Sequence, residues 1–599
     1  MKRLMYLSAT VVLLLCAARS ASATIRYRVS LSHPERHLFH VAVVVPEVTG
    51  ELVVALPAWN ALYQIRDFAY RVQDVRAVAE TNGKAGPALE VSKLDKQTWR
   101  ISDPAGFGKG LQRTTVDIDY AILWDDAGPF NSQLNSHHAF VNFAEILLYV
   151  PDRRAEDVEV DFTDVPAGWK TAAELKAGGV PNSFLAPSYD KLADAPTEAG
   201  TFAEFHFDAG GGHYRVAVDG GDWKEDKLKE TLSRIVTYET SLMGGPPFDE
   251  YTFFFHFGSF REAGGGGMEH ANSTAIGVGS GDGAAGVAAH EFFHAWNVKR
   301  IRPKSLEPVD YTREQWTRSL WFAEGVTSTY GSYALVRTGI WSRTQFYGDL
   351  AAQFAELDAR PARLWQSVEE ASLDAWLEKY DGYRSPDESI SYYNKGQILG
   401  VLLDLLIRDA TSNRASLDDV LRRMNVEFAK QNRTYDDSVD IRAIAQKVAG
   451  RSFEDFFRRY VSGTDEIPYD TFLALTGLRL KPETRAVADL GFRPGRGSGS
   501  SLSVSDVGPG SGAETAGVRE GDEVLEIDGS FSWRDVFRNL RERAPGETVR
   551  LRLRRDGEER EVSYVLGSRA ERNYQIEELP NPSEKQLQIR EGLLKGSTN

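Results

Sequence analysis

Alternation of apolar and polar positions dominates the first third of the chain. Tyr27–Leu31 alternates, and Leu38–Val45 does so less cleanly. Further strand-like runs cover Leu52–Leu56, Thr114–Leu123, Phe140–Tyr149 and Val158–Phe162, with Gly, Pro, Asp and Asn between them. A period of two with this punctuation predicts half-buried strands. Residues 24–190 are therefore expected to form a β-sandwich-like domain, with a turn anchored by Trp169 near its end. Beyond it, Phe202–Phe207 and Tyr214–Val218 read as strands and Lys227–Leu242 as a helix. Tyr251–Phe257 reads as a central apolar strand, and Asn272–Val278 as an edge strand able to pair with an extended peptide.

The period then changes. Thr344–Leu357, Gly396–Asp409, Leu417–Phe428, Ile441–Val448 and Phe453–Val461 carry the helical spacing, so residues 341–475 are predicted to be α-helical. Composition shifts again at the Gly/Ser-rich stretch Arg493–Ser501. Strands follow at Leu502–Val507, Val549–Leu553 and Arg560–Val565, around a short helix from Trp533. Residues 476–568 thus read as a small independent domain with a binding or positioning role. The tail, residues 569–599, is rich in Glu, Gln and Lys and is expected either to dock as a helix or to stay loose.

Met1-Lys2-Arg3, the apolar run Leu4–Cys16 and Ala21-Ser22-Ala23 have the order of a secretory signal peptide. Residues 1–23 are expected to be removed on export across the inner membrane, giving a periplasmic chain without stable membrane insertion. Cleavage removes Cys16, the only cysteine, so the mature chain holds no disulfide. Loss of Lys2, Arg3 and Arg19 takes the formal charge from −16 to −19, which argues against nucleic acid as a partner.

The chemistry concentrates between residues 191 and 340. His290-Glu291-Phe292-Phe293-His294 reads H-E-x-x-H. On a helix the two imidazoles share a face and can hold one metal ion, with Glu291 beside it; this is the equipment of zinc-assisted hydrolysis. None of the 11 histidines follows His294, and no cysteine is available. A third ligand must be a downstream carboxylate or lie upstream. Glu324 is the strongest candidate, because a charged residue in the apolar run Leu320–Val326 needs a partner. Upstream, Gly264–Gly267 suits close approach of a ligand backbone, and Glu269 is a second functional carboxylate. Lys299, Arg300 and Arg302 are read mainly as capping and salt-bridging residues at the helix end. Tyr393 is taken over Tyr392 as a neutral donor to an oxyanion, although by composition both suit a core. His33, His37, His40, His137 and His138 are read as structural or surface histidines rather than a second metal site.

Together these motifs resemble the glycyl aminopeptidase family of zinc peptidases. The resemblance rests on His290–His294 followed by Trp296–Pro303, on Gly267-Met268-Glu269-His270, Trp321–Gly325, Tyr392–Gly396 and Val461–Thr464, and covers roughly residues 24–568. It implies a multidomain chain: an N-terminal β domain, a thermolysin-like α+β catalytic domain, an α-helical domain completing the active site, and a C-terminal PDZ domain. It makes His290, His294 and Glu324 the ligands of one zinc ion in the gluzincin manner, and Glu291 the general base. Glu269, with Gly267, Met268 and His270, resembles the motif that binds the substrate amino terminus, and Tyr393 resembles the tyrosine that stabilises the tetrahedral intermediate. Ala513–Gly529 resembles the PDZ pattern, and Leu490-Gly491-Phe492 its carboxylate-binding loop, which implies a protein C-terminus or internal peptide as a further partner. The activity implied is removal of N-terminal residues from peptides, with small residues such as Gly or Ala favoured. The alternative is a zinc endopeptidase whose protein substrates the PDZ domain recruits; a non-catalytic peptide-binding protein is a third reading, against which the complete motif set counts.

Overall fold

Ile25, Tyr27 and Val29 point inward from one strand, and Val41, Val43 and Val45 from the next, as alternation dictates. In this computed structural model, which describes residues 24–60, 63–81, 84–103, 114–378, 388–496, 502–529 and 543–598, these strands belong to an eight-stranded sheet. A three-stranded sheet (52–55, 98–102, 90–93) closes over it, and both sheets share one apolar core that includes Val54, Trp99, Ile101, Ile118 and Ile122. The expected β-sandwich-like domain is therefore present. The signal-peptide reading of residues 1–23 and the helix expected from Trp533 lie outside the described residues.

Phe140–Tyr149, expected as one strand, is extended only over His138–Val141; Phe143–Ile146 is a helical turn. The run is buried on every side, so it lacks the alternation that distinguishes a strand. His138–Val141 instead joins Thr197–Gly200, Lys170–Ala173 and Gln133–Leu134 in a four-stranded sheet.

The region that carries the H-E-x-x-H segment is built on five strands: β1 (Ala203–Ala209), β2 (Gly212–Gly220), β3 (Glu250–Phe257), β4 (Gly266–Glu269) and β5 (Ser273–Val278). Their order is β1-β2-β3-β5-β4, with β2, β3 and β5 parallel and β1 and β4 antiparallel to their neighbours. This corrects the reading of residues 272–278 as an edge. β5 is an inner strand, and the glycine-rich segment folds back to make β4 the edge. The turn is possible because Gly264 and Gly266 take positive φ, and Gly264 lies against Gly128 where no β-carbon fits.

Helices α1 (Glu225–Met243) and α2 (Ala284–Phe293) cover one face of this sheet. Ala288 and Ala289 let α2 lie close to it, and the Phe292 ring packs edge-on to Tyr251 at 4.9 Å. On the other face Phe254 and Ala275 meet Phe140 and Ala172 of the four-stranded sheet, so the β domain is welded to the back of the five-stranded sheet.

Trp321–Val326 forms a π-helical turn that runs into α3 (Thr327–Arg337). The helical region follows with α4 (Arg343–Asp358), opened by a Ser342/Gln345 capping box, and α5 (Tyr392–Thr411), whose N-cap Ser391 accepts from the Asn394 N–H. Residues 478–489 and 567–578 then pair in a two-stranded antiparallel ribbon that carries a small domain with a five-stranded sheet at its far end. Residues after 568 are thus a strand followed by a docked helix: α6 (Glu584–Lys595) buries Ile589, Leu593 and Leu594 against the helical region. No described helix is long and apolar enough to cross a membrane.

Candidate active site

α2 delivers His290 and His294 from one face, as the i, i+4 spacing requires. The π turn delivers Glu324 opposite them. His290 Nε2 and His294 Nε2 are 3.1 Å apart, and Glu324 Oε2 lies 3.4 Å from the first and 3.2 Å from the second. Each imidazole is fixed from behind. His294 Nδ1 donates to the Asn297 carbonyl at 2.6 Å. His290 Nδ1 donates to Ser328 Oγ at 3.2 Å, which donates in turn to the Glu324 carbonyl at 3.0 Å. Both Nε2 lone pairs therefore face the same point as the carboxylate.

Such an arrangement can hold a cation at its centre. Burial alone would raise the Glu324 carboxyl, but the two imidazoles hold it well below the usual carboxylate range. Two neutral nitrogens and one carboxylate oxygen at these separations, each oriented by an outer hydrogen bond, fit a tetrahedral zinc site with its fourth position open. Asn297 also ties α2 to the π turn, donating through Nδ2 to the Phe322 carbonyl at 2.9 Å and to Thr327 Oγ1 at 3.1 Å.

Glu291 is buried beside this centre. Burial pushes its carboxyl well above the ordinary value; His294 opposes that, and Glu269 reinforces it. One carboxylate oxygen of Glu269, one of Glu291 and a ring nitrogen of His294 all lie within 4.8 Å of one another. Tyr393 stands at the start of α5, half-buried, with its ring 6.1 Å from that of His290. Tyr392 is fully buried in the core and stacks on Tyr393 at 4.9 Å.

Alternation divides the Gly267–His270 segment. Gly267 and Glu269 face Glu291, whereas Met268 and His270 point away and line a cavity of about 320 Å³ against the β domain. There the β domain, which runs past residue 190 through the Thr197–Gly200 strand, contributes a residue that sequence reading missed. Asp194 accepts from the Ala271 N–H at 3.1 Å, from Lys299 at 2.7 Å and from His270 Nδ1 at 3.4 Å. Burial would raise the Asp194 carboxyl, but Lys299 and His270 hold it well below the usual range. Glu174 accepts from the Asn272 N–H at 3.2 Å. Arg300 donates to the carbonyls of Ala271, Ala295 and Pro247 and to Asn272 Oδ1. Lys299 and Arg300 are thus spent on fixing the turn between β4 and β5, and Arg302 pairs with Glu307. No local motif marks Asp194 or Ser328; only the fold brings them in.

Residues 26–201 match the model of the peptidase M61 N-terminal domain, residues 284–399 that of the M61 glycyl aminopeptidase, and residues 477–566 that of a PDZ domain. No curated protein sequence matches the chain. Among solved structures, it is similar to an aminopeptidase N family protein from Idiomarina loihiensis, at 24% identity and a TM-score of 0.78, covering 95% of this chain and 100% of that one. It also aligns with an M1 zinc metallopeptidase from Deinococcus radiodurans at 16% identity and a TM-score of 0.45, over 74% of this chain and 94% of that one. The first of these shares the fold over nearly the whole length.

Proposed function

We propose that this chain, which matches the M61 glycyl aminopeptidase models over residues 26–201 and 284–399, is a zinc-dependent aminopeptidase that releases the first residue of peptides, with Gly or Ala favoured. The observation that carries this reading is the second carboxylate. Glu269 projects from an edge strand to within reach of Glu291, where a free α-ammonium would meet it.

His290, His294 and Glu324 would hold one zinc ion, which supplies Lewis acidity and a water of lowered pKa when bound. The extended substrate lies along β4, an edge strand of the sheet among the described residues. Glu269 pairs with the α-ammonium and sets cleavage after the first residue. Glu291 accepts a proton from the attacking water at its carboxylate, then delivers it to the leaving amine. The Tyr393 hydroxyl donates to the oxyanion that develops on the scissile carbonyl. Met268 and His270, facing the other way, act through their backbone and by seating β4. The family name supports the preference for small residues. The PDZ domain takes a protein C-terminus or internal peptide, and the composition of residues 1–23 supports a periplasmic location.

A panel of short peptides, each with a free and an acetylated amino terminus, tests the reading with and without a zinc chelator. Chelator-sensitive release of the first residue, abolished by acetylation, is expected. Cleavage inside acetylated peptides would replace it with an endopeptidase. Glu291→Gln should keep its zinc while turnover falls by about 10²–10⁴-fold; a fully active variant would remove Glu291 from the mechanism.

A further inference from the structure

A second group of buried donors lies behind the catalytic sheet. His138 comes from the strand His138–Val141 and Glu198 from Thr197–Gly200, both in the β domain, while His256 comes from β3. His138 Nδ1 lies 2.8 Å from Glu198 Oε1, and His256 Nε2 lies 2.9 Å from Glu198 Oε2. All three donor atoms fall within 4.8 Å of one another, and each residue is at most 6% exposed. Asp219 of β2 offers a fourth, with Oδ2 at 3.8 Å from His138 Nδ1.

The ring of His138 is set as a metal ligand's ring is set. Its Nε2 donates to Gln133 Oε1 at 3.1 Å, which turns the Nδ1 lone pair toward the carboxylate. His294 shows the same pattern, with the outer nitrogen spent on the Asn297 carbonyl and the inner one facing Glu324. In the metal-free chain a proton closes the 2.8 Å contact between Nδ1 and Glu198, and a divalent ion would take that proton's place. With both imidazoles neutral, Glu198 and Asp219 carry two negative charges, which one divalent ion balances in place of the proton that otherwise joins His138 to Glu198. Around a tetrahedral zinc ion the donors stand about 3.3 Å apart; the contacts at 2.8 and 2.9 Å are made by the two different oxygens of Glu198, so the carboxylate turns to present one of them to the ion. An ion has a way in, because His138, His256 and Asp219 line a cavity of about 780 Å³ that Asp222 and Glu262 also border.

We propose that His138, Glu198 and His256, with Asp219 as fourth ligand, form a second zinc site that clips the β domain to the catalytic sheet. The site sits beside the apolar seam of the same junction, with the Phe140 ring edge-on to His256 at 4.9 Å. Its ligands come from both domains, so the ion acts on stability and not on the reaction.

The full-length mature protein, loaded with zinc and desalted, decides the matter by metal analysis. Two zinc ions per chain are expected in the wild type, one in His290→Ala/His294→Ala, and one in His256→Ala, which should keep its peptide hydrolysis. Combining all three substitutions should leave none. One ion in the wild type and none in His290→Ala/His294→Ala would overturn the proposal, and that count stands even if His256→Ala does not fold. Thermal unfolding of His290→Ala/His294→Ala gives a readout independent of activity: its midpoint should rise on adding zinc, and an unchanged midpoint would count against the clip.

Discussion

Gly267 lies so close to Glu291 that a β-carbon on it would stand 2.4 Å from the Glu291 carboxyl carbon. The edge strand and the carboxylate proposed as proton carrier therefore set each other's position. A methyl group at Gly267 would push the carboxylate off its place beside His294 without touching the ligands' outer hydrogen bonds. A misplacement of this size costs about 10²-fold in rate. Gly267→Ala should accordingly lose about that much in kcat, with zinc content and thermal midpoint near those of the wild type. Metal analysis, calorimetry and initial rates on one preparation check it; unchanged kcat would mean that Glu291 does not need this position.

In the proposed function Glu269 acts through charge on one end of the substrate. Removing it should therefore discriminate between substrates. Glu269→Ala should raise KM and lower kcat/KM by about 10²-fold for free-amine peptides, the value of one charge-assisted pair in a partly buried site. Residual cleavage of blocked peptides should not change. Equal losses on both substrate classes would show that Glu269 supports the site generally rather than reading the amino terminus.

The parts of this site that were legible in the sequence are those fixed by helical geometry. His290 and His294 must share a face if the segment is a helix, and Glu324 betrays itself as a charge in an apolar run. The strands of the β domain were legible for the same reason, since one face is wet. Legibility ended where burial is two-sided or where partners are remote. Residues 273–278 carry no mark of being an inner strand, because their neighbour β4 comes from a glycine-rich segment with no side-chain pattern of its own. Asp194 sits 77 residues before the Ala271 N–H it accepts from, and no local signal links them. The Glu198 that joins His138 to His256 is separated from them by 60 and 58 residues. The composition of the tail from residue 569 predicts a docked helix or a loose end and does not show its opening strand, because the exposed polar residues of 567–578 find their partner only in residues 478–489.

Glu324 depends on a contact between two backbones. A β-carbon on Gly396 would stand 2.3 Å from the Trp321 carbonyl oxygen, and one on Gly325 2.4 Å from the Gly396 α-carbon. Neither neighbour is a flexible side-chain end, so the π turn itself would have to move. Gly396→Ala should cost about 1–3 kcal/mol of stability through overpacking and shift Glu324 away from the imidazoles. Zinc affinity, measured by competition with a chelator, is expected to fall at least about tenfold, as for other groups that position metal ligands. Wild-type affinity in a destabilised Gly396→Ala would separate the seam from the metal site.

The β domain also reaches the edge strand from the other side, through the contact of Arg66 with the buried Glu145. Arg66 Nη1 contacts Glu145 Oε1 at 3.0 Å and donates to the Phe130 carbonyl at 2.5 Å, and the Phe130 ring lies where a β-carbon on Gly266 would stand 3.5 Å from it. Burial pushes the Glu145 carboxyl up to about 7, although Arg66 opposes it. Between about pH 4.5, the ordinary value, and about pH 7 the folded chain therefore holds a proton that the unfolded chain has lost. Unfolding free energy from this group is fully present below that window and declines as pH rises through it, by about 3 kcal/mol at 1.36 kcal/mol per pH unit. Glu145→Gln cannot lose a proton and should lack this decline. The gap in thermal midpoint between the wild type and Glu145→Gln should move in favour of the variant as pH rises from 4.5 to 7. A gap that stays constant across that range would mean that Glu145 is ionised throughout, with Arg66 outweighing its burial.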